Sequence, residues 1–302
     1  MKPIQIFYSE KYHYALPEGH RFPIDKYVLV KEQLLYQGII QPEQLNDPGL
    51  VEDETIYLVH TQEYWQQVKS LNLPPCMVRR IGLPNTDVSV LRARCSVNGT
   101  IKAAQAALKN GIGMNLAGGT HHAYPDRGEG FSTLNDIAIA STFLLKEELV
   151  KRILIIDLDV HQGNGNAFIF GQNPFVFTFS MHGKDNYPIP KENSDLDIAL
   201  STGTGDKEYL EILGRTLPDL FIHHCPDIVF YQAGVDVLET DKLGKLSLTK
   251  EGCLTRDRIV FQACQKYGVP LATSMGGGYS AKIADIVDAH SNTFKVAHEI
   301  FA

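Results

Sequence analysis

A short polar pattern, Asp157, Asp159 and His161, follows directly on the apolar segment ILII of this chain. Alternate residues of an extended segment point to the same side, so these three side chains are expected to face one site. A carboxylate left unpaired in a dry site costs several kcal/mol, which indicates that a positive charge lies beside them. With Asp236 as a third ligand, Asp159 and His161 would hold a divalent metal and leave one coordination position open.

Zn²⁺ suits this mixed set of oxygen and nitrogen ligands, and Fe²⁺ is the alternative metal. In the alternative interpretation without a metal, Asp157 or Asp159 caps the following turn and His161 is a histidine of the core. The addition of Asp236 favours the metal site, because three ligands from separate segments are then explained together.

Two adjacent histidines, His121 and His122, are candidates for acid–base chemistry. A metal balanced by two carboxylates is a modest Lewis acid, so a neutral imidazole within hydrogen-bond distance would be needed to deprotonate water. Asp157 and Asn164 are the predicted partners that orient the two rings. Taken alone, the histidine pair is equally compatible with a surface or structural role.

Tyr279 follows three consecutive glycines, Gly276 to Gly278. Such a loop can approach a ligand closely and bring a phenol to it, and the hydroxyl could donate a hydrogen bond to a developing oxyanion. Without the other motifs, an ordinary loop with a packed ring would explain the same residues.

Each of these polar motifs follows a predicted strand. GMNLAG runs into GTHHAY, RILII into DLDVHQGNG, PDIVFY into QAGVD, and VPLATS into MGGGY. Strand-like and helix-like segments alternate from about residue 96 to the end, which favours a parallel sheet. Ligands of such sheets bind beyond the carboxyl ends of the strands, so the four motifs are expected to meet at one edge.

The composition bounds the class of protein. The 302 residues are 44% hydrophobic and 21% charged, without low-complexity runs, which predicts one globular domain over residues 1–302. A net charge of −7 argues against direct nucleic-acid binding and suggests that a cationic substrate would be attracted. The five cysteines form no C-x-x-C pair, and neither a signal peptide nor a membrane span is recognisable, so the predicted location is the cytoplasm.

Together the motifs resemble the zinc-dependent histone deacetylase family, in particular its short class IV branch and related bacterial deacetylase-like proteins. The segments GGTHHAYPDRGEGFSTLND, IDLDVHQGNG, AGVDVLETDKLGKLSLT and GGGYS each resemble a family block, in the family's order. The resemblance implies an α/β fold of the arginase/deacetylase type. This fold has a single domain with a central, mostly parallel sheet of about eight strands and helices on both faces.

The resemblance also implies roles for individual residues. His122 matches the general base and acid, His121 its partner that stabilises the transition state, and Tyr279 the tyrosine that polarises the amide carbonyl. Asp159, His161 and Asp236 match the zinc ligands, with Asp157 and Asn164 behind the histidines. The residues that would line the acyl-lysine channel are Gly130, Phe131, Tyr187, Gly277 and Gly278, with Arg21 near its base. The residues that would hold a structural K⁺ are Asp157, Asp159, His161, Ser180 and Met181.

The chain departs from class I members at two places. Gln162 and Asn164 stand where class I members have a histidine and an aspartate, and class IV sequences tend to show the same replacement. Because Asn164 carries no charge, His122 should be less basic than its counterpart in class I. The acidic rim residue that holds the substrate backbone in class I has no clear match, although Asp87 is near in the order of blocks.

The function implied is a metal-dependent amidohydrolase that removes acetyl or longer acyl groups from the ε-amino group of lysine in proteins. The alternatives are a deacetylase of small acylated amines such as acetylpolyamines, and a non-catalytic module that binds acyl-lysine. An arginase-like dimetal hydrolase would need a carboxylate where Gly163 stands. The sequence leaves the oligomeric state undetermined.

Overall fold

Eight strands form the centre of the computed structural model, which describes residues 4–302, and every neighbouring pair among them is parallel. In chain order they are β1 (Gln5–Phe7), β2 (Leu45–Asn46), β3 (Ile112–Asn115), β4 (Ile153–Asp157), β5 (Val176–Gly183), β6 (Leu196–Leu200), β7 (Ile228–Gln232) and β8 (Leu271–Ser274). Across the sheet the order is β2-β1-β3-β8-β7-β4-β5-β6. The predicted α/β fold on a central sheet of about eight strands is confirmed, and the sheet is parallel throughout rather than mostly parallel.

Helices connect the strands and flank the sheet. Within the described residues they are α1 (Lys26–Tyr36), α2 (Asp53–Ile56), α3 (Gln62–Lys69), α4 (Pro75–Ile81), α5 (Asp87–Asn110), α6 (Asp136–Lys146), α7 (Asn164–Phe170), α8 (Asp206–His224), α9 (Lys250–Tyr267) and α10 (Ile283–Phe301). In residues 4–302, none of these helices combines the length and the apolar composition that crossing a bilayer requires.

The ends of the longest helices follow from their sequences. The hydroxyl of Thr86 accepts a hydrogen bond from the backbone of Ser89 and opens α5, as expected of an N-cap. Gly111 ends α5 with a backbone φ of 93°, and Gly268 ends α9 with a φ of 66°, values that glycine adopts without strain. Both helix ends are where the sequence predicts them.

The four strands that carry the predicted motifs lie side by side in the sheet, in the order β3-β8-β7-β4. Their residues are buried along their whole length, as expected of central strands covered on both faces. Asn115, Ser274, Gln232 and Asp157, the last residues of these strands, are in register with one another. The loops after them therefore start from one row at the carboxyl edge, as predicted.

The elements that were not predicted from the sequence include β2, β5, β6, α7 and α8. Strand β6 is an edge strand whose residues are alternately exposed, and α8 contains Pro218. Of the N-terminal segment IQIFYS, only Gln5–Phe7 form a strand, β1. The first three residues of the N-terminal segment, in which no signal peptide was recognised, lie outside the described residues.

Candidate active site

Asp159, His161 and Asp236 are brought together by the turns that follow β4 and β7. All three are buried, and one potential ligand atom from each lies within 4.8 Å of the others. The Nδ1 atom of His161 is 3.1 Å from Asp159 Oδ1 and 3.1 Å from Asp236 Oδ2. The backbone N–H of Val160 donates to Asp236 Oδ1 at 2.9 Å, and that of Gly277 donates to Asp159 Oδ2 at 2.8 Å. The cluster therefore has fixed carboxylates and a converging imidazole.

The electrostatics of this cluster fit a divalent cation. Burial, followed by the neighbouring Asp159 carboxylate, raises the pKa of Asp236 to about 7. Burial lowers the pKa of His161, but Asp159 and Asp236 outweigh it and raise this pKa to about 10. Two close carboxylates thus demand positive charge between them, and a dication would supply it. Two carboxylate oxygens and one imidazole nitrogen form a donor set that suits Zn²⁺.

A glycine closes the cluster on the side of the β8 loop. A Cβ atom at Gly277 would overlap the carboxylate of Asp236 and lie 2.9 Å from Asp159 Oδ2. Only glycine allows the backbone to approach the two carboxylates this closely.

A buried clamp holds the turns that carry the two aspartates. Arg256 of α9 donates from its Nη1 to the backbone oxygens of Leu158, at 3.2 Å, and Gly234, at 2.5 Å. Its guanidinium also pairs with Asp257 at 2.7 Å, and Asp257 accepts a hydrogen bond from Thr293 Oγ1 of α10 at 2.6 Å. Two helices thereby fix the backbone immediately before Asp159 and two residues before Asp236.

His121 and His122 lie beside this cluster, with their ring centroids 4.1 Å apart. His121 Nδ1 is 2.6 Å from Asp157 Oδ2, and His122 Nδ1 is 2.6 Å from Asn164 Oδ1. The two Nε2 atoms are 3.1 Å apart. The structure thus places each histidine against the partner predicted for it.

The two rings differ in charge. Burial lowers the pKa of His121, but the Asp157 and Asp159 carboxylates outweigh burial and raise it to about 9. Burial, followed by the charge of His121, holds the pKa of His122 well below its ordinary value. At neutral pH, His121 is therefore an imidazolium and His122 is a neutral imidazole, able to accept a proton.

Tyr279 faces the same site from the loop after β8. Its ring centroid is 6.3 Å from that of His161, and its backbone N–H donates to Asp241 Oδ2 at 2.6 Å. The ammonium of Lys26, a buried residue, donates to the backbone oxygen of Gly276 at 2.8 Å. Burial, followed by the Asp236 carboxylate, raises the pKa of the Tyr279 phenol well above its ordinary value, so the hydroxyl keeps its proton.

An outer cleft of about 950 Å³ leads to these groups. Gly130, Phe131 and Tyr187 line it, as predicted for the channel, and the Tyr187 ring lies 5.1 Å from that of His122 between centroids. Below it lies an inner cavity of about 20 Å³ that Gly277 lines. Gly278 is not among the residues that line either space, and its place in the channel stays a prediction.

Two expectations are corrected by the structure. Arg21 lies at the outer cleft and is exposed, whereas the arginine that lines the inner cavity is the buried Arg92. Asp87 is the first residue of α5 and does not line the cleft among the described residues.

The charge of the cleft also differs from expectation. Within the part of the chain that the structure describes, five basic side chains line it against three carboxylates. The basic residues are Arg21, Arg79, Arg80, Arg127 and Lys245, and the acidic ones are Glu129, Asp185 and Glu192. The local charge is therefore positive although the chain carries −7, and a cationic substrate is not favoured at this entrance.

Sequence reasoning missed several residues of the site. Lys26 and Arg92 come from helices α1 and α5, and Glu129 lies directly before the predicted channel residues. Glu129 could have been noticed in the sequence, because a carboxylate directly before a channel glycine is unexpected. Its contact with Asn164 could not have been predicted, because that contact depends on the fold.

Comparisons with known proteins agree on one family. Residues 20–294 match the model of the histone deacetylase domain. An uncharacterized protein of a Picosynechococcus species is 46% identical over 98% of this chain and 99% of its own length. Histone deacetylase 2 of Arabidopsis thaliana is 29% identical over 95% of this chain and 77% of its own length. The crystal structure of an HDAC homolog complexed with SAHA has a TM-score of 0.85 at 25% identity, covering 99% of this chain and 84% of that one.

Proposed function

Since the chain belongs to the histone deacetylase family and is a hydrolase of acetylated amides, we propose that it removes acetyl or longer acyl groups from the ε-amino group of lysine in proteins. One observation carries the proposal: a neutral, buried imidazole, His122, lies between the metal-ligand cluster and the channel wall. Members of the family are generally zinc-dependent, and Asp159, His161 and Asp236 would hold the ion.

In this proposal the chain's own groups divide the work of amide hydrolysis. A divalent ion, when bound, supplies Lewis acidity that polarises a carbonyl and makes water more acidic. His122 accepts the proton of the attacking water on its Nε2 and returns it to the amine as it leaves. His121, fixed by Asp157, supplies a neighbouring positive charge, and the Tyr279 hydroxyl donates to the oxygen of the scissile carbonyl as negative charge develops there.

Zn²⁺ is the proposed resident metal and Fe²⁺ its alternative, since both accept this ligand set. A structural K⁺ is proposed beside it, between Asp157, the backbone of Asp159 and His161, and the segment Ser180 to Met181. Asp157 and Ser180 are in register on β4 and β5, so the two residues are neighbours at the carboxyl end of the sheet. This arrangement supports the potassium proposal.

The cleft favours a peptide over a polyamine as the acyl carrier. Its basic lining disfavours acetylpolyamines, whose remaining amines are cationic. The dimetal alternative has no support, because Gly163 stands where a second metal would need a carboxylate. The binding-module alternative conflicts with the presence of both histidines, the tyrosine and all three ligands in one place.

The test is product release by purified, zinc-replete protein. The panel contains ε-acetyl-lysine peptides, ε-myristoyl-lysine peptides and acetylated polyamines, with a chelated sample as control. We expect chelator-sensitive release from the lysine peptides and little from the polyamines. Binding of the peptides without release from any substrate would instead identify a binding module, and preferred release from the polyamines would overturn the lysine assignment.

A further inference from the structure

Glu129 contacts the site from the loop directly before the channel wall. It is 8% exposed, and its Oε1 accepts a hydrogen bond from Asn164 Nδ2 at 2.7 Å. Its Oε2 faces the Nε atoms of Arg80 and Arg127, each at 3.9 Å. A buried carboxylate with this short contact to the partner of His122 has no role in the mechanism described above.

The contacts of Asn164 leave one orientation for its amide. Tyr124 donates its hydroxyl proton to Glu192 at 2.9 Å, so its oxygen accepts from Asn164 Nδ2 at 3.1 Å. Both groups on this side, Glu129 and Tyr124, are therefore acceptors, and the NH₂ of Asn164 must face them. The amide oxygen then faces His122 Nδ1 at 2.6 Å and can only accept.

This orientation determines the tautomer of His122. Nδ1 must carry the proton that Asn164 Oδ1 accepts, so the lone pair of the neutral ring lies on Nε2. Nε2 is the atom that faces His121, at 3.1 Å. The hydrogen bonds thus run outward from the His121 imidazolium. One goes to Asp157, and the others go through His122 and Asn164 to Glu129.

We propose that Glu129 is a positioning residue: by holding the NH₂ of Asn164, it favours the tautomer of His122 whose lone pair lies on Nε2. An asparagine alone could present either its oxygen or its nitrogen to the ring. The carboxylate of Glu129, on the side of Asn164 away from His122, accepts a hydrogen bond only and so selects one of these two orientations. The effect on rate rests on the proposed function, whereas the effect on the tautomer does not.

The direct test is the ¹⁵N spectrum of the histidines in zinc-replete protein, with the His122 signals assigned by a His122→Ala variant. We expect wild-type His122 to be protonated on Nδ1 only. In Glu129→Gln the glutamine can offer NH₂ as well as oxygen to Asn164, and only His121 and Tyr124 then favour the Nδ1 tautomer, so this tautomer is expected to lose part of its population. A His122 that stays protonated on Nδ1 alone in this variant would overturn the proposal, even if the protein hydrolyses no acyl-lysine at all.

The second test is a double-mutant cycle scored by turnover, with metal content and melting temperature recorded for every variant. Glu129→Gln should lower kcat about tenfold or more while KM changes little, as loss of an orienting partner does. Asn164→Asp alone should also lower kcat, because its outer oxygen would face the Glu129 carboxylate across a hydrogen-bond distance. In the double variant Glu129→Gln, Asn164→Asp, the outer oxygen of the new aspartate accepts a hydrogen bond from the new glutamine amide. The kcat of the double variant should therefore be higher than that of either single variant.

Additive losses in the double variant would mean that Glu129 acts only through packing or local charge, which would contradict the proposal. Glu192→Gln is the matched control, because it removes one carboxylate from the same cleft and leaves an acceptor for Tyr124. Combined with Asn164→Asp it should give no recovery. Recovery there as well would attribute the effect to cleft charge and overturn the role of Glu129.

Discussion

Tyr279 is held at its backbone by Asp241 and presents a phenol that stays protonated beside the ligand cluster. We predict that Tyr279→Phe lowers kcat by about 100-fold or more, since removal of one donor to a developing oxyanion has that effect. Metal content should not change, because the ligands are Asp159, His161 and Asp236. The measurement is turnover and zinc content of the same sample.

Tyr267→Phe is the control for this variant, because the Tyr267 ring stacks on Phe221 at 4.9 Å between centroids and does not line the cleft described above. Its turnover should equal that of the wild type. A Tyr279→Phe variant with normal turnover would remove the phenol from the mechanism.

The ligand cluster also makes the stability of the metal-free protein depend on pH. Folding raises the pKa of Asp236 from 3.8 to about 7, so the folded state keeps a proton that the unfolded chain has lost. Folding raises the pKa of His161 from 6.5 to about 10. The stability that His161 contributes is therefore fully present below pH 6.5 and is lost as the pH rises toward 10. Both groups therefore reduce stability as the pH rises.

We predict that the melting temperature of chelated protein falls between about pH 7 and pH 9, and that the zinc-replete protein changes much less. Below this range, buried histidines with lowered pKa values, such as His60 and His182, act in the opposite direction. The zinc ion replaces the protons, so the difference in melting temperature between the two forms should widen with pH. Scanning calorimetry of both forms measures this, with Asp236→Asn as a variant in which part of the slope is lost. A melting temperature of the chelated protein that rises over the same range would contradict the prediction.

At this scale, residues could be predicted where type and spacing suffice. Asp159 and His161 are two apart after a strand, so their convergence follows from local geometry alone. Lys26 and Arg92 could not be found this way, because their contribution depends on how helices pack on the sheet. Arg21 was assigned to the base of the channel from the resemblance alone, and in the structure it is exposed.

At the scale of elements, the loop after β8 controls how closely the backbone approaches the metal ligands. We predict that Gly277→Ala sharply reduces zinc binding, because the added Cβ would overlap the Asp236 carboxylate and crowd Asp159. Zinc stoichiometry after dialysis against a weak chelator measures this.

Gly214→Ala is the matched control, because Gly214 lies within α8 and a Cβ there meets no atom within 4 Å. It should leave zinc binding unchanged and stabilise the protein by about 0.5–1 kcal/mol, since alanine favours the helix interior. Full zinc binding by Gly277→Ala would show that the loop can shift without cost.

Elements with one dominant pattern were predictable. Strands β3, β4, β7 and β8 are short, continuous apolar runs bounded by polar or glycine-rich sequence, and the motifs after them reveal their direction. Strand β6 has a different pattern, because alternate residues face solvent at the edge of the sheet. Its position depends on pairing with β5, which no local signal specifies.

At the scale of the molecule, charge is distributed unevenly. The chain carries −7, yet basic side chains outnumber carboxylates in the cleft within the described residues. Arg21 and Arg79, both exposed, face the opening. A substrate of the proposed kind with acidic residues around the acyl-lysine would therefore be attracted to the entrance and repelled by the rest of the surface.

We predict that kcat/KM is about tenfold higher for an acetyl-lysine peptide flanked by Asp and Glu than for one flanked by Lys and Arg, with the ratio falling as salt is added. The double variant Arg21→Gln, Arg79→Gln should lose most of this preference. Arg258→Gln is the control, because Arg258 pairs with Glu299 away from the cleft. A preference for the basic peptide, or one insensitive to salt, would contradict the prediction.

The clamp of Arg256, Asp257 and Thr293 affects how variants of this protein would be interpreted. A mutational survey scored by activity alone would place Thr293 among the most sensitive positions, because its hydroxyl supports the ion pair that holds the turns of Asp159 and Asp236. Yet Thr293 belongs to the last helix, more than fifty positions beyond Asp236 in the chain. Loss of activity on substitution would therefore identify residues that hold the site in place as well as residues that take part in the chemistry. A measurement of bound metal would distinguish these two groups of residues.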